Sequence, residues 1–354
     1  MTEIFLEHMK KYPEMEISDA VKLAYQSVFG CAHFVNDRET CIRRIETELR
    51  ESAELCETAA FEDIGSAWAR FYLNSLAART MMPEMIADMF IRSSHCLTGG
   101  TGELENTLQI LESLARDGKT PFTAEALDVY INEYMKSGHP AVSHSARYNE
   151  MYRPHYRVVL KKYAEISELM CMISDVITEK GRCVVAVDGR SAAGKSTLAK
   201  LLEDTFDAAV IHMDDFFLPP ELRTEQRYAE PGGNVHYERF NREAAPNLGG
   251  GKPFEYRVFD CGKMELGDSR KVSGNALTIV EGAYALNPNI TASYDIKVFC
   301  DVDEKTQRDR IAARNGKASL EAFESRWIPL ENKYISHFEI EKKCDITLKI
   351  GDIN

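Results

Sequence analysis

Apolar residues recur three and four positions apart through most of residues 1–180, and then the period changes. Ser18 reads as the cap of a helix running to Phe29 and stopped by Gly30, with Ala20, Val21, Leu23, Ala24 and Val28 on one face. Asn36 reads as the cap of the next helix, through Ile42, Ile45 and Leu49. Ala67 to Ala78 is apolar on most sides and reads as a third. Pro83 suits the first turn of a fourth, carrying Met85, Ile86, Met89 and Phe90. Thr101 to Asp117 ends at Gly118, and Thr123 to Lys136, with an early Glu125, ends before Gly138. Pro154 opens a long helical pattern through Val158, Leu160, Tyr163, Ile166, Leu169, Met172, Ile173 and Ile177 that stops at Gly181. No strand of useful length is expected here. The pattern predicts a separate all-α domain over 1–165 and a connecting helix over 166–181. A rigid connector would couple the two halves, and a break near Ile166 to Met170 would let them move.

From Gly181 short apolar, β-branched runs alternate with helical ones, which predicts an α/β domain with a parallel sheet over 182–354. The expected strands are Cys183–Val187, Ala208–His212, Leu277–Val280, Ile296–Cys300 and Ile346–Ile350. Ligands of such sheets bind beyond the carboxyl ends of the strands, so chemistry is sought there. The long segment Leu218 to Gly274 is rich in Gly, Pro, Tyr, Arg and Asp, which suits a substrate-binding insertion rather than core.

The first strand runs into Gly189, four residues, then Gly194, Lys195 and Ser196: the phosphate-loop spacing. The glycines let the backbone bend its N–H groups around phosphate oxygens, with Ser191, Ala192 and Ala193 between them. Lys195 supplies a point charge, Ser196 a hydroxyl for Mg²⁺, and Thr197 opens a helix whose positive end faces the anion. Asp214 and Asp215 follow the second strand, where a carboxylate could take a proton from an attacking hydroxyl, hold Mg²⁺ through water, or cap a turn. Glu281 and Gly282 end the third strand, in the place of a metal-associated carboxylate or of a sheet-end partner for lysine. Arg310 and Arg314 share a face of the helix after the fourth strand, with Arg308 nearby. They would neutralise phosphoryl charge, or form an ordinary exposed face.

The net charge of -13 argues against a general nucleic-acid surface, and no apolar run approaches a membrane span. The nine cysteines form no C-x-x-C pair, and several sit in apolar runs, as free thiols of a reducing cytoplasm would. Residues 139–157 gather His139, His144, His155, Arg147, Arg153, Arg157, Tyr148, Tyr152 and Tyr156. They could form an anion or nucleotide pocket, with His33 joining it, or a polar interdomain surface.

The pieces VDGRSAAGKST, HMDDFF, VEGAYAL and FCDVDEKTQRDRIAAR occur in the order found in the uridine kinase-like group of P-loop kinases, related to phosphoribulokinase and pantothenate kinase. The resemblance covers roughly residues 182–350. It implies ATP and Mg²⁺ at Gly189, Gly194, Lys195, Ser196 and Thr197, a base at Asp214 with Asp215 in the following position, a metal-side carboxylate at Glu281, and lid arginines at Arg310 and Arg314. Tyr256 resembles a tyrosine of the acceptor pocket. The histidine that nucleoside kinases of the group place after it is absent, and Asp260 and Cys261 occupy that region. The resulting expectation is an ATP- and Mg²⁺-dependent transfer to a hydroxyl of a small molecule, with Tyr237, Arg239, Tyr256, Arg257 and Asp260 toward the acceptor. A nucleotide-dependent switch with the helical domain as effector, and a kinase acting on an RNA end, are the alternatives. The role of the first domain and the oligomeric state are not encoded in any motif.

Overall fold

The computed structural model describes residues 1–31, 37–52, 59–96 and 99–351, apart from the side chains of 318 and 319. Asn36, His33 and Cys56 lie outside the described residues. By its contacts the chain divides into two compact units, Met1–Ser167 and Glu168–Asn354.

The first unit is predominantly helical. Its helices are α1 (Thr2–Lys11), α2 (Ile17–Phe29), α3 (Arg38–Glu51), α4 (Leu76–Thr80), α5 (Pro83–Ser94), α6 (Thr101–Arg116), α7 (Ala124–Lys136), α8 (Ala146–Tyr152) and α9 (Lys162–Glu165). Helix α2 begins one residue before the expected cap Ser18, because Asp19 reaches back to accept from the Glu16 N–H at 2.9 Å. Asp37 caps α3, accepting from the Thr40 N–H at 3.1 Å. Thr123 caps α7 as its sequence position suggests.

The expectation of a strand-free first half is corrected. Strands β1 (Phe61–Gly65), β2 (Trp68–Tyr72) and β3 (Tyr156–Leu160) form an antiparallel sheet in the order β1-β2-β3. All five residues of β2 are buried, so no alternation marks it and its apolar run imitates a helix. Ala67–Ala78 is therefore a strand, a turn and the short α4. The run expected to continue helically from Pro154 likewise starts as β3. Arg153 in the left-handed region (φ 41°) ends α8, and the β-branched pair Val158–Val159 pairs with Arg70 and Ala69. Its helical remainder is α9 and α10 (Ser167–Lys180), interrupted at Ile166.

In the second unit β4 (Cys183–Gly189), β5 (Ala209–His212), β8 (Leu277–Glu281), β9 (Ile296–Cys300) and β10 (Ile346–Leu348) form a parallel sheet in the order β10-β9-β4-β8-β5. Strand β4 is buried along its whole length, and helix α11 (Lys195–Phe206) packs across β4, β5 and β8. An antiparallel hairpin, β6 (Phe254–Asp260) with β7 (Glu265–Val272), stands apart from this sheet. The remaining helices are α12 (Glu225–Ala229), α13 (Tyr237–Glu243), α14 (Glu304–Asn315), α15 (Lys317–Ala322) and α16 (Ile328–Phe338). The segment expected to lie outside the core contributes Val235, Phe240, Tyr256 and Val272 to it.

Candidate functional site: a phosphate loop at the sheet's carboxyl edge

Strand β4 turns at Gly189 (φ 138°), where a Cβ would meet the Cys300 carbonyl oxygen at 2.0 Å, so only glycine lets β4 and β9 approach there. The loop that follows delivers Lys195 to the first position of α11. Its buried ammonium donates to the carbonyls of Gly189 (2.9 Å) and Arg190 (2.8 Å). Ser196 Oγ donates to Glu281 Oε2 at 3.1 Å, and Glu281 Oε1 lies 2.5 Å from His212 Nδ1. That contact raises the His212 pKa, against its burial. The Gly282 Cβ position would lie 2.8 Å from the Met213 side chain, so this glycine lets the loop after β8 close on the turn carrying Asp214.

These groups open on a cavity of about 500 Å³. Of the expected residues, Ser191, Ala192, Gly194, Lys195, Ser196, Thr197, Asp214, Glu281, Arg310 and Arg314 line it. Asp214 sits on a 3₁₀ turn (Met213–Phe216) directly after β5. Its carboxyl faces the cavity, where loss of water first and the Glu281 charge second raise its pKa. Arg310 donates to the Ala192 carbonyl (3.2 Å) and the Ile350 carbonyl (3.0 Å), which ties α14 to the loop. Arg314 holds Asn315 at 2.7 Å, and Arg308 pairs with Glu324 at 2.7 Å.

The structure does not bring the other expected residues to the cavity. Ala193 is fully buried beneath the loop. Asp215, expected near a metal, faces the hairpin and accepts from Tyr256 Oη and Arg270 Nη1, both at 2.7 Å. Arg239, buried under the Phe216 ring, donates to the Asp215 and Arg257 carbonyls and to Glu243. Tyr256 stacks on Phe216 with ring centroids 5.0 Å apart. Tyr237 lies against Arg227, Arg257 holds the Leu266 and Gly267 carbonyls, and Asp260 closes the hairpin turn by accepting from Gly262 and Lys263 N–H groups. Each has a structural partner because the hairpin and α13 need their polar groups satisfied where they meet the sheet.

Sequence reading missed two acidic residues that shape the loop. Asp188, buried at the end of β4, accepts from the N–H groups of Tyr284 (3.1 Å) and Leu286 (2.9 Å) and from Tyr334 Oη (2.7 Å). Burial still raises its pKa. Glu331 on α16 accepts from the Ser191 N–H at 2.9 Å and from its hydroxyl, and burial raises its pKa too. Its distance in sequence gives no local signal. Asp188, one residue before the motif in a strand, was the visible clue. Phe217, Asn234, Tyr284, Phe323 and Trp327 also line the cavity.

Among the described residues no group of three or more His, Cys, Asp or Glu side chains is placed to hold a metal by itself. Mg²⁺ at a phosphate loop does not need one. It keeps waters and takes one or two protein oxygens plus phosphate oxygens, and Ser196 Oγ beside Glu281 Oε2 fits that donor set.

At the centre of the stretch 139–157 aromatic side chains pack on one another. The His144 side chain, 7% exposed, stacks on the buried Tyr148, with centroids 4.1 Å apart and planes within 3°. Arg147 pairs with Glu14, and Arg157 with Glu48 at 2.7 Å.

The chain is similar to proteins named as kinases. A nicotinamide riboside kinase of Eremothecium gossypii is 24% identical over 194 residues, 47% of this chain and 80% of that protein. A possible uridine kinase from Bacillus stearothermophilus is similar in structure at 20% identity and a TM-score of 0.39, over 51% of this chain and 99% of the other. A candidate fructose transport system kinase from Silicibacter sp. TM1040 follows at 23% identity and a TM-score of 0.38, over 47% of this chain and 89% of the other. No family model matches the chain. No helix among the described residues is long and apolar enough to cross a membrane.

Proposed function

We propose that the second unit is an ATP- and Mg²⁺-dependent kinase that transfers the γ-phosphoryl group to a hydroxyl of a small molecule. The observation that carries this reading is one cavity lined by the phosphate-loop Lys195 and Ser196, by Asp214 and Glu281, and by two arginines of α14. The matched relative is named for a riboside acceptor, and a nucleoside, sugar or similar polyol is the acceptor class we assign. An acceptor base at Asp214 favours a transferase over a slow nucleotide switch.

Ser196 and Glu281 would hold Mg²⁺, which neutralises phosphate charge and orients the phosphoryl group. Lys195 exchanges its two neutral loop carbonyls for phosphate oxygens, a trade toward charge-assisted hydrogen bonds of about twice the strength. The acceptor oxygen attacks the γ-phosphorus, its proton passes to the Asp214 carboxylate, and the bond to the bridging oxygen breaks to release ADP. Arg310 and Arg314 face the charge that spreads over the transferring group. Glu331 and Asp188 position the loop and touch no reacting atom.

Lys195→Ala tests the assignment. Nucleotide-dependent activity should vanish, while native circular dichroism and the thermal transition remain. Full activity in this variant would overturn the placement of the nucleotide.

A further inference from the structure

Strands β5 and β8 run side by side, and their last residues, His212 and Glu281, stand opposite each other in the register. Glu281 lines the cavity, and its side chain is only 6% exposed. A buried carboxylate needs donors. Glu281 has one on each oxygen. Ser196 Oγ donates to Oε2 at 3.1 Å, and His212 Nδ1 lies 2.5 Å from Oε1. A carboxylate only accepts, so Nδ1 carries the proton. The neutral Nδ1–H imidazole makes this bond as the charged ring does, so the contact does not depend on the charge of the ring.

The two bonds have different consequences. A serine hydroxyl holds a single proton. With that proton pointed at Oε2, the lone pairs of Oγ are turned away from the carboxylate and are free to face a cation. This orientation is only as good as that of the carboxylate itself. The terminal torsion of a glutamate is broad and roughly two-fold, so a carboxylate tied at one oxygen swings about that bond. His212 ties the second oxygen, and it does so from a strand, two residues before Asp214. With its side chain 38% exposed, His212 adds little to stability by pairing. What it fixes is the plane of Glu281.

We propose that His212 is a positioning residue for Mg²⁺. Through Nδ1 it sets the plane of Glu281, and through Glu281 it sets the direction of the Ser196 lone pairs, so that the two oxygens are oriented before the metal arrives. The inference rests on the kinase reading of the cavity. It adds to that reading a residue that touches neither metal nor substrate.

The test compares the affinity of the full chain for a non-hydrolysable ATP analogue in Mg²⁺ and in EDTA, by calorimetry. The ratio of the two affinities is the contribution of the metal. His212→Val should lower that ratio about tenfold or more, the usual loss when an outer partner of a metal site is removed, and leave the affinity in EDTA as it is. His212→Asn, whose amide nitrogen comes close to the place of Nδ1, should restore most of the ratio. His212→Leu supplies the apolar variant if His212→Val loses the native circular dichroism. Mn²⁺ bound with the analogue gives a spectroscopic reading, and its electron paramagnetic resonance spectrum should change in the apolar variant and return in His212→Asn. A ratio unchanged in the apolar variant, a loss shared equally by the EDTA arm, or a ratio equally low in His212→Asn would overturn the positioning role while nucleotide binding stands. Failure of the unaltered chain to bind the analogue would remove the kinase reading, and this inference with it.

Discussion

At the residue scale two adjacent carboxylates part company. Asp214 and Asp215 follow one strand, yet the 3₁₀ turn sends Asp214 into the cavity and Asp215 against Tyr256 and Arg270. Asp214→Asn should therefore lose phosphoryl transfer by a factor of roughly 10²–10⁴, the usual worth of a general base, with nucleotide affinity nearly unchanged in a binding titration. Asp215→Asn should instead cost about 1–3 kcal/mol of stability, read from denaturant unfolding, because the one oxygen that accepts from both Tyr256 and Arg270 loses its charge. A crippled but fully stable Asp215→Asn would reverse the two roles. The phosphate-loop residues were legible because their spacing is a contiguous backbone requirement. Glu331 was not, since a carboxylate that receives a loop N–H group from another element carries no spacing of its own.

At the element scale the parallel strands were legible to within a residue or two. Each is a short β-branched run bounded by turn residues. Strand β2, buried on both faces, and β3, whose partner is remote in sequence, were not. The hairpin β6–β7 was hidden in a segment that composition marked only as insertion. Asp215, the Tyr256–Phe216 stack and Arg239 fasten it to the turn that carries Asp214. Tyr256→Phe should lower stability by about 1–2 kcal/mol, read from denaturant unfolding. If the hairpin forms a wall for the acceptor, Arg270→Ala should raise the acceptor KM more than it lowers kcat. An unchanged KM would remove the hairpin from the acceptor site.

At the scale of the whole molecule the two units should answer acid in opposite senses. In the first, burial and the Arg70 and Lys22 charges outweigh Asp19 and lower the His144 pKa from 6.5 to about 4. The unfolded chain then binds the proton first, so stability falls as pH drops from about 6.5 toward 4, by on the order of 3 kcal/mol. Glu62 and Glu48, whose pKa values are lowered by their ion pairs against burial, contribute stability above about 4.5 that is lost below it. In the second unit Asp188, Asp214 and Glu331 have raised pKa values, so their contribution grows as pH falls through those values toward the ordinary carboxylate range. Hydrogen exchange followed peptide by peptide between pH 7 and 5 should show protection falling in residues 1–167 and holding or rising in 168–351. His144→Gln should flatten the first slope, and equal losses in both units would contradict the assignment. The central claim is phosphoryl transfer to a small-molecule hydroxyl. Its most direct test is ADP release from Mg²⁺ and ATP across a panel of nucleosides, sugars, vitamins and short RNAs, against an acceptor-free control and Asp214→Asn. The account predicts release that depends on a small-molecule acceptor and is lost in the variant. Release that ignores every acceptor and persists in Asp214→Asn would contradict it.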